Sequence, residues 1–222
     1  MTGLHGWLVV DKPLGPTSAQ VVGKLKWAMR QGGHGKGKIG HGGTLDPLAT
    51  GVLPVALGEA TKLAGHLLNG RKRYRFAIAF GAATSTDDAE GEVVKSSVHR
   101  PTERDIRAVL SGFLGAIRQR PPAYSALKLD GKRAYARARA GEEVVLEARE
   151  ITIHALDLLE AGADSATFEV SCSKGTYVRS LARDLSLALG TVGHVSLLRR
   201  TGAGPFTEHQ ALPLDKCVEL LH

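Results

Sequence analysis

A single carboxylate lies in the glycine-rich stretch from Gly40 to Pro54, whose sequence is GHGGTLDPLATGVLP. Three of its first four residues are glycine, which permits positive φ and a close approach of the backbone to a ligand. Asp46 is the first acidic residue after Asp11, and six lysines and arginines lie between the two. A carboxylate among cations stays ionised near neutral pH and can act as a nucleophile or a base. Asp46 is therefore the first candidate catalytic residue.

The same stretch also has a purely structural interpretation. Asp followed by Pro is how a short helix begins, with Asp46 as the N-cap and Pro47 as the first helical residue. On spacing alone the helix cap is favoured over catalysis. The choice between the two depends on what the rest of the chain contains.

Two further side chains could take part in chemistry. Residues 72–80 alternate between an apolar face, which includes Tyr74, and a second face with two arginines, so they predict a strand. On that strand Tyr74 is either a core residue or a site residue. Arg179 lies near the start of a helix predicted from Val178, which is an unfavourable place for a cation. We therefore expect a carboxylate partner for Arg179.

The sequence lacks the usual signatures of cofactor and metal sites. Residues 35–40 match the dinucleotide fingerprint, but they follow a predicted helix instead of a strand, and no Walker loop is present. Cys172 and Cys217 are isolated, so neither a disulfide framework nor a thiolate metal site is indicated. A carboxylate acting alone suits substitution at a sugar carbon or addition to a pyrimidine ring. A base within folded RNA must also be flipped out before an enzyme can reach it.

The charge of the chain points to a polyanionic partner. The formal net charge is +7, the pI is about 9.6, and residues 118–139 contain seven basic side chains against one acidic one. Clustered cations are typical of a phosphate-binding surface, although a solvated basic face explains a single cluster equally well. No apolar run approaches the roughly 18 residues of a membrane span. The N-terminus lacks the features of a signal peptide, so we expect a cytoplasmic protein.

Strands and helices mix without regular βαβ alternation, which favours an α+β fold with an antiparallel sheet. Residues 118–149 contain paired prolines and form a basic excursion from that sheet. The predicted strands are 7–10, 52–57, 72–80, 92–98, 151–159, 167–172 and 194–200. The predicted helices are one from Pro16 to Gly32, 60–68, one after a capping box at Thr102 and Asp105, 131–140, 178–189 and 214–221.

These residues resemble the TruB family, the bacterial tRNA pseudouridine synthases that act on the T loop. The stretch from Gly40 to Pro54 is similar to the catalytic motif of the family, and the resemblance extends from about Gly6 to Pro205. Gly42 departs from the pattern, since the family more often has Thr there. The other matching motifs, in family order, are 11–13, 72–74, 86–91, 120–126, 172–179 and 194–200.

The resemblance implies three catalytic residues. Asp46 would start cleavage of the uridine N1–C1′ bond, after which the base rotates and rejoins through C5. Whether Asp46 attacks C1′, adds to C6 or removes a proton from C2′ stays open. Arg179 would pair with Asp46, and Tyr74 would stack on the flipped uracil and take the proton from C5.

The resemblance also implies the residues that hold the substrate. Tyr177 and Leu198 would line the base pocket, and His41 would contact the RNA near the flipped nucleotide. The excursion at residues 118–149 would be a thumb that grips the T stem-loop. The residues expected to bind RNA are Lys12, Lys128, Lys132, Arg133 and Arg137.

The implied enzyme converts the uridine at position 55 of tRNA to pseudouridine and needs no cofactor or metal. Its fold would be the pseudouridine synthase fold, with a bent, mainly antiparallel mixed sheet flanked by helices. Residues 1–222 would form a single catalytic domain without the small C-terminal RNA-binding domain that many relatives carry. The protein would be a cytoplasmic monomer that binds tRNA and needs no protein partner or membrane. A tRNA-folding chaperone and a subunit of a guide-RNA-dependent pseudouridine synthase are the alternatives.

Overall fold

The chain begins with a strand and a capped helix, both in the positions that the sequence predicts. The apolar run that starts at Trp7 lies in strand β1, Gly6–Lys12. Helix α1, Ser18–Gln31, begins after a capping box in which Thr17 Oγ1 accepts from the amide of Gln20 and Gln20 Oε1 accepts from the amide of Thr17. It ends at Gly32, as predicted.

The computed structural model describes residues 3–35, 37–122, 124, 128–129, 132–133 and 146–222, with the backbone alone at 128–129 and 132–133. Its other helices are α2 (Ala64–Asn69), α3 (Glu103–Leu110), α4 (Val178–Ala188) and α5 (Leu214–Leu221). Its other strands are β2 (Ile39–His41), β3 (Ala49–Leu57), β4 (Lys72–Phe80), β5 (Ala82–Thr84), β6 (Val93–Ser96), β7 (Gly115–Gln119), β8 (Lys128–Leu129), β9 (Lys132–Arg133), β10 (Arg149–Ala161), β11 (Ser165–Cys172), β12 (Gly193–Ala203), β13 (Phe206–Thr207) and β14 (Leu212–Pro213).

The contacts divide the chain into two units. Unit 1 is Met1–Arg75 with Leu197–His222, and unit 2 is Phe76–Ser196, so the chain crosses the boundary within β4 and within β12.

Unit 1 has its strands in the order β14-β1-β3-β12. β1 and β3 pair antiparallel over their length, from Gly6 opposite Leu57 to Lys12 opposite Gly51. β12 pairs parallel to β3, with Leu198 opposite Ala49. β2 pairs with the other end of β3, so the loop between β2 and β3 leaves and re-enters the same sheet.

Unit 2 has its strands in the order β4-β11-β10-β7. β10 pairs antiparallel with both β11 and β7, and β5 with β6 forms a separate hairpin. The core contains the stacked rings of Phe76 and Phe168, whose centroids lie 5.3 Å apart, and the apolar face of α4. Most pairings in the described part of the chain are antiparallel, and the prediction of an α+β fold is confirmed.

Some predicted elements differ from the structure. The helix predicted at 60–68 is a 3₁₀ segment, Gly58–Leu63, followed by the short α2. The helix predicted at 131–140 is wrong at Lys132–Arg133, which pairs as a strand with Lys128–Leu129, and the rest of that range lies outside the described residues. Strands β2, β5, β7, β8, β9, β13 and β14 were not predicted, and each is five residues or shorter. In the described ranges, no helix is long and apolar enough to span a membrane.

Candidate functional site

Asp46 lies on the loop between β2 and β3, residues 42–48, which we call the glycine loop. Pro47 and Leu48 form a turn after it, and β3 begins at Ala49, whose amide donates to the Asp46 carbonyl at 3.1 Å. Asp46 is therefore followed by a turn and a strand. The interpretation of Asp46 as the N-cap of a helix is wrong.

Both flanks of Asp46 are anchored by hydrogen bonds to other elements. On one side, the Leu45 amide donates to Ser18 Oγ at 2.8 Å, and Ser18 Oγ donates to the Leu45 carbonyl at 3.0 Å. On the other side, the Pro47 carbonyl accepts from the Gly15 amide at 3.0 Å and from Lys12 Nζ at 3.3 Å. Such bonds hold the backbone of Asp46 in one position while its side chain remains partly exposed.

Lys12, predicted to bind RNA, is placed differently. Its side chain is fully buried, and Nζ also donates to the carbonyls of Pro13 at 2.9 Å and Pro16 at 2.7 Å. A buried ammonium must be satisfied by such bonds, because its desolvation is costly. In this structure Lys12 joins the end of β1 to the glycine loop and presents no surface to a phosphate.

Arg200 also holds the glycine loop, a role that was not predicted from the sequence. Its guanidinium is buried, with Nη2 donating to the Gly43 carbonyl at 3.1 Å, Nη1 to that of Thr44 at 3.3 Å and Nε to that of Val52 at 2.7 Å. The backbone of Arg200 also lies close to that of Gly51, which has φ of 99°. A Cβ atom at position 51 would lie 2.3 Å from the Arg200 carbonyl oxygen, so this contact requires glycine. The sequence offered no clear signal, because Arg200 follows Arg199 in a strand that also contains other polar residues.

Gly42, the departure from the family pattern, lies against Leu67. A Cβ atom at Gly42 would lie 2.4 Å from Leu67 Cδ2, so a larger residue there would displace that leucine. Glycine at position 42 therefore leaves room for Leu67 of α2.

His41 precedes the glycine loop and is uncharged near neutral pH. Burial and, to a lesser extent, the Arg200 guanidinium lower the pKa of His41 below its usual 6.5. Its Nδ1 accepts from the Gly43 amide at 3.4 Å, which is an arrangement of the neutral ring. The neutral imidazole then has its proton on Nε2 and can donate one hydrogen bond.

Leu198 and Tyr74 belong to the same unit as Asp46. Leu198 is buried and lies opposite Ala49 where β12 pairs with β3. Ala49 is three residues after Asp46 in the sequence. Tyr74 is half-buried on β4, on the same face as the buried Phe76 and Ile78, as the alternation predicted. The structure therefore places Asp46, His41, Leu198 and Tyr74 on elements of unit 1.

Arg179 and Tyr177 belong to unit 2. Arg179 is buried at the start of α4 and forms an ion pair with Asp88 at 3.3 Å, so the expected carboxylate partner is present. Its Nη1 also donates to the Thr86 carbonyl and its Nη2 to that of Tyr124, both at 3.0 Å. The pairing of Arg179 with Asp46 stays a prediction. The Tyr177 amide donates to Gln119 Oε1 at 2.8 Å.

Asp87 and Asp88 are functional candidates that were not predicted individually. Asp88 is buried with Arg179, and Arg183, one helical turn further along α4, bonds Asp87 at 3.1 Å. Asp87 has φ of 60°, and burial raises the pKa of its carboxyl above the usual value against the opposing effect of Arg183. Two arginines on one helix face thus hold two consecutive aspartates. The matching motif at residues 86–91 was the available signal.

The remaining residues predicted to bind RNA belong to the basic excursion. The side chains of Lys128, Lys132 and Arg133, and the whole of Arg137, lie outside the described residues. Among the residues that are described, no three His, Cys, Asp or Glu side chains group closely enough to hold a metal ion. What unit 1 presents is one carboxylate on an anchored loop, together with a neutral imidazole and a tyrosine.

Two family models match the chain. The first, described as the TruB family pseudouridylate synthase N-terminal domain, matches residues 30–178. The second, described as the tRNA pseudouridylate synthase B C-terminal domain, matches residues 179–222. Among curated proteins, the tRNA pseudouridine synthase B of Zymomonas mobilis is 56% identical over 217 residues, which are 98% of this chain and 72% of that protein. The protein of that name from Gluconobacter oxydans is 51% identical over 96% of this chain and 63% of its own length.

Solved structures agree with the family models. A chain in a crystal structure of a Cbf5–Nop10–Gar1 complex superposes with a TM-score of 0.74 at 35% identity, covering 97% of this chain and 54% of that one. A chain of an H/ACA RNP bound to a substrate RNA containing 2′-deoxyuridine superposes with a TM-score of 0.72 at 31% identity, covering 97% and 53%. The present chain therefore spans about half the length of the solved chains it matches.

Proposed function

Because the chain belongs to the TruB family of pseudouridylate synthases, we propose that it converts the uridine at position 55, in the T loop of tRNA, to pseudouridine. The curated relatives are named for tRNA, which supports this class of substrate. The reaction takes place on a flipped-out base, because the target atoms are inaccessible within folded RNA. The protein acts as a cytoplasmic monomer.

The proposed reaction is an isomerisation and balances without a co-reactant. The N1–C1′ bond breaks and a C5–C1′ bond forms, while C5 loses a proton and N1 gains one. The enzyme therefore has to start the cleavage, hold the detached uracil while it rotates, and accept the proton from C5.

Asp46 starts the cleavage in this proposal. The supporting observation is the anchoring of its two flanks, through Ser18 on one side and through Lys12 and Gly15 on the other. A carboxylate whose backbone is held in this way needs little reorganisation in the transition state, and preorganisation of this kind is a main source of catalytic power. This anchored carboxylate is the observation that carries the proposal.

The other residues of unit 1 take the roles of binding and proton transfer. Tyr74 stacks on the uracil and accepts the C5 proton, and Leu198 forms an apolar wall of the base pocket. The position of Leu198 opposite Ala49, close in sequence to Asp46, supports this assignment. His41 donates its Nε2 proton to an acceptor on the RNA, which its lowered pKa supports. For Arg179, Tyr177 and the thumb residues the proposal rests on the resemblance.

The test is incubation of the purified chain with unmodified tRNA, with pseudouridine mapped at single-nucleotide resolution. We expect one modified site, in the T loop, and none with Asp46→Asn. A wild-type protein that binds tRNA but leaves the T loop unmodified would contradict the proposed function.

A guide-RNA-dependent subunit is the second candidate, because the solved chains of similar fold occur in complexes with Nop10 and Gar1. The same assay separates the two. Modification of tRNA by the chain alone, without guide RNA or added protein, supports the stand-alone enzyme, and modification that requires both supports the subunit.

A further inference from the structure

A basic pocket whose described lining does not include Asp46 lies in unit 1, between α1, β2 and the 3₁₀ segment that follows β3. It has a volume of about 570 Å³, and its charged lining residues are Lys26, Arg30 and Lys38. Lys26 and Arg30 are four residues apart on α1, so they lie on one face of the helix. Lys38 lies in the loop directly before β2. No acidic side chain is part of the described lining.

These three cations have no carboxylate partner among the described residues, which distinguishes them from Lys24, Arg199 and Lys216 of the same unit. Lys24, also on α1, bonds Asp215 at 2.6 Å, and Lys216 bonds Glu219 at 2.8 Å. The pKa of Glu59 is lowered chiefly by its hydrogen bond to Lys62 and least by the charge of Lys38, so Lys62 is the partner of this carboxylate. The pocket is thus a place where positive charge is gathered and left without a counter-charge.

This arrangement is unfavourable in the free protein. Like charges four residues apart destabilise a helix, and Lys38 adds a third charge from the loop before β2. Arg30 lies in the last turn of α1, where the helix dipole favours a cation. The helix dipole therefore stabilises the charge of Arg30, but it does not stabilise the charges of Lys26 and Lys38. An anion in the pocket would remove the repulsion among all three.

We propose that this pocket binds the phosphodiester backbone of the RNA substrate. All three cations are exposed on long side chains, which suits successive phosphates of a strand better than a single enclosed ion. Gly40 lines the pocket, and the next residue, His41, is the last residue of β2 before the glycine loop. A strand in contact with that loop can continue into the pocket along β2. The inference rests on the proposed function for the identity of the RNA.

The experiment compares two triple variants of equal charge change. The pocket variant is Lys26→Gln, Arg30→Gln, Lys38→Gln, and the control is Lys24→Gln, Lys62→Gln, Lys216→Gln, whose lysines all have carboxylate partners. Binding of labelled unmodified tRNA is measured from about 50 to 200 mM salt. The substituted side chains are exposed, so both proteins should fold normally, and thermal unfolding checks this.

We expect the pocket variant to bind tRNA at least tenfold more weakly. The log–log dependence of its affinity on salt should become shallower by about 0.7 to 0.9 for each phosphate that the pocket no longer binds. Single-turnover rates at saturating tRNA should remain at the wild-type value, because the pocket takes no part in the chemistry. The control variant should change affinity less than threefold. Inorganic phosphate should compete no better than chloride at equal ionic strength.

Equal affinities and salt slopes in the two triple variants would overturn the proposal and leave the pocket as a solvated face. Specific competition by inorganic phosphate would also overturn it, in favour of a single-ion site. A wild-type protein that binds tRNA without modifying it would remove the proposed function, while the comparison of the two variants would still test the pocket. A wild-type protein that binds no RNA would overturn both.

Discussion

Arg179 and Asp88 form an ion pair of 3.3 Å in which both side chains are almost completely buried, 8% and 3% exposed. Asp88 Oδ1 also accepts from the Glu90 amide at 3.1 Å and from the Thr86 hydroxyl. Breaking a buried pair of this kind from one side is costly, and loss of the Asp88 carboxylate also removes its bonds to Thr86 and Glu90. The start of α4 is therefore held to the turn at residues 84–91.

The first prediction concerns this pair. Asp88→Ala should lower the free energy of unfolding by about 3–5 kcal/mol, the usual cost of breaking a buried ion pair from one side. Denaturant unfolding measures it. The matched control is Asp164→Ala, which breaks the exposed pair with Arg100 and should cost no more than about 1 kcal/mol. Equal effects of the two substitutions would show that burial adds nothing to the Arg179 pair.

The second prediction concerns Asp46. Asp46→Asn retains the shape of the side chain and the backbone bonds of the glycine loop but removes the charge. We expect a folded protein that binds tRNA and forms almost no pseudouridine. Ser18→Ala serves as a comparison, because it loosens the loop through Leu45 and leaves the carboxylate intact. Substantial turnover by Asp46→Asn would exclude a catalytic role for the carboxylate.

The third prediction concerns Tyr74, which is half-buried on β4. Tyr74→Phe retains the ring and removes the hydroxyl, so stability should fall by at most about 1 kcal/mol. If the hydroxyl accepts the C5 proton, turnover should fall by about a hundredfold or more, because positioned bases contribute that much. Single-turnover release of tritium from C5-labelled uridine in tRNA measures the step. Release at the wild-type rate would leave Tyr74 as a stacking surface.

The fourth prediction concerns the protonation of His41. Burial and Arg200 lower the pKa of His41, so the ring should titrate below 6.5 in an NMR pH titration of the folded protein. The unfolded chain then binds the proton first as the pH falls. The contribution of His41 to stability should therefore be full above pH 6.5 and decrease as the pH falls from 6.5 through the folded pKa. A midpoint at or above 6.5 would contradict the neutral ring proposed for RNA contact.

The sequence by itself determined the elements whose causes are local. The helix that begins next to Pro16, the capping box at Thr102 and the alternation of β4 are present as predicted, because each depends on residues within a few positions of one another. The glycine loop was identified for the same reason. The family resemblance then assigned roles within it.

Only the tertiary structure decided which groups hold that loop. Arg200 donates to the Gly43 carbonyl, which is 157 residues away in the sequence. Arg179, at the start of α4, forms an ion pair with Asp88 in the turn at residues 84–91. It also decided that Lys12, which looked like a surface cation, is buried against three carbonyls. A charged side chain has the same local pattern whether it faces water or the interior. Its role is set by the carbonyls and carboxylates that the fold brings to it, because only these can offset the cost of burying the charge.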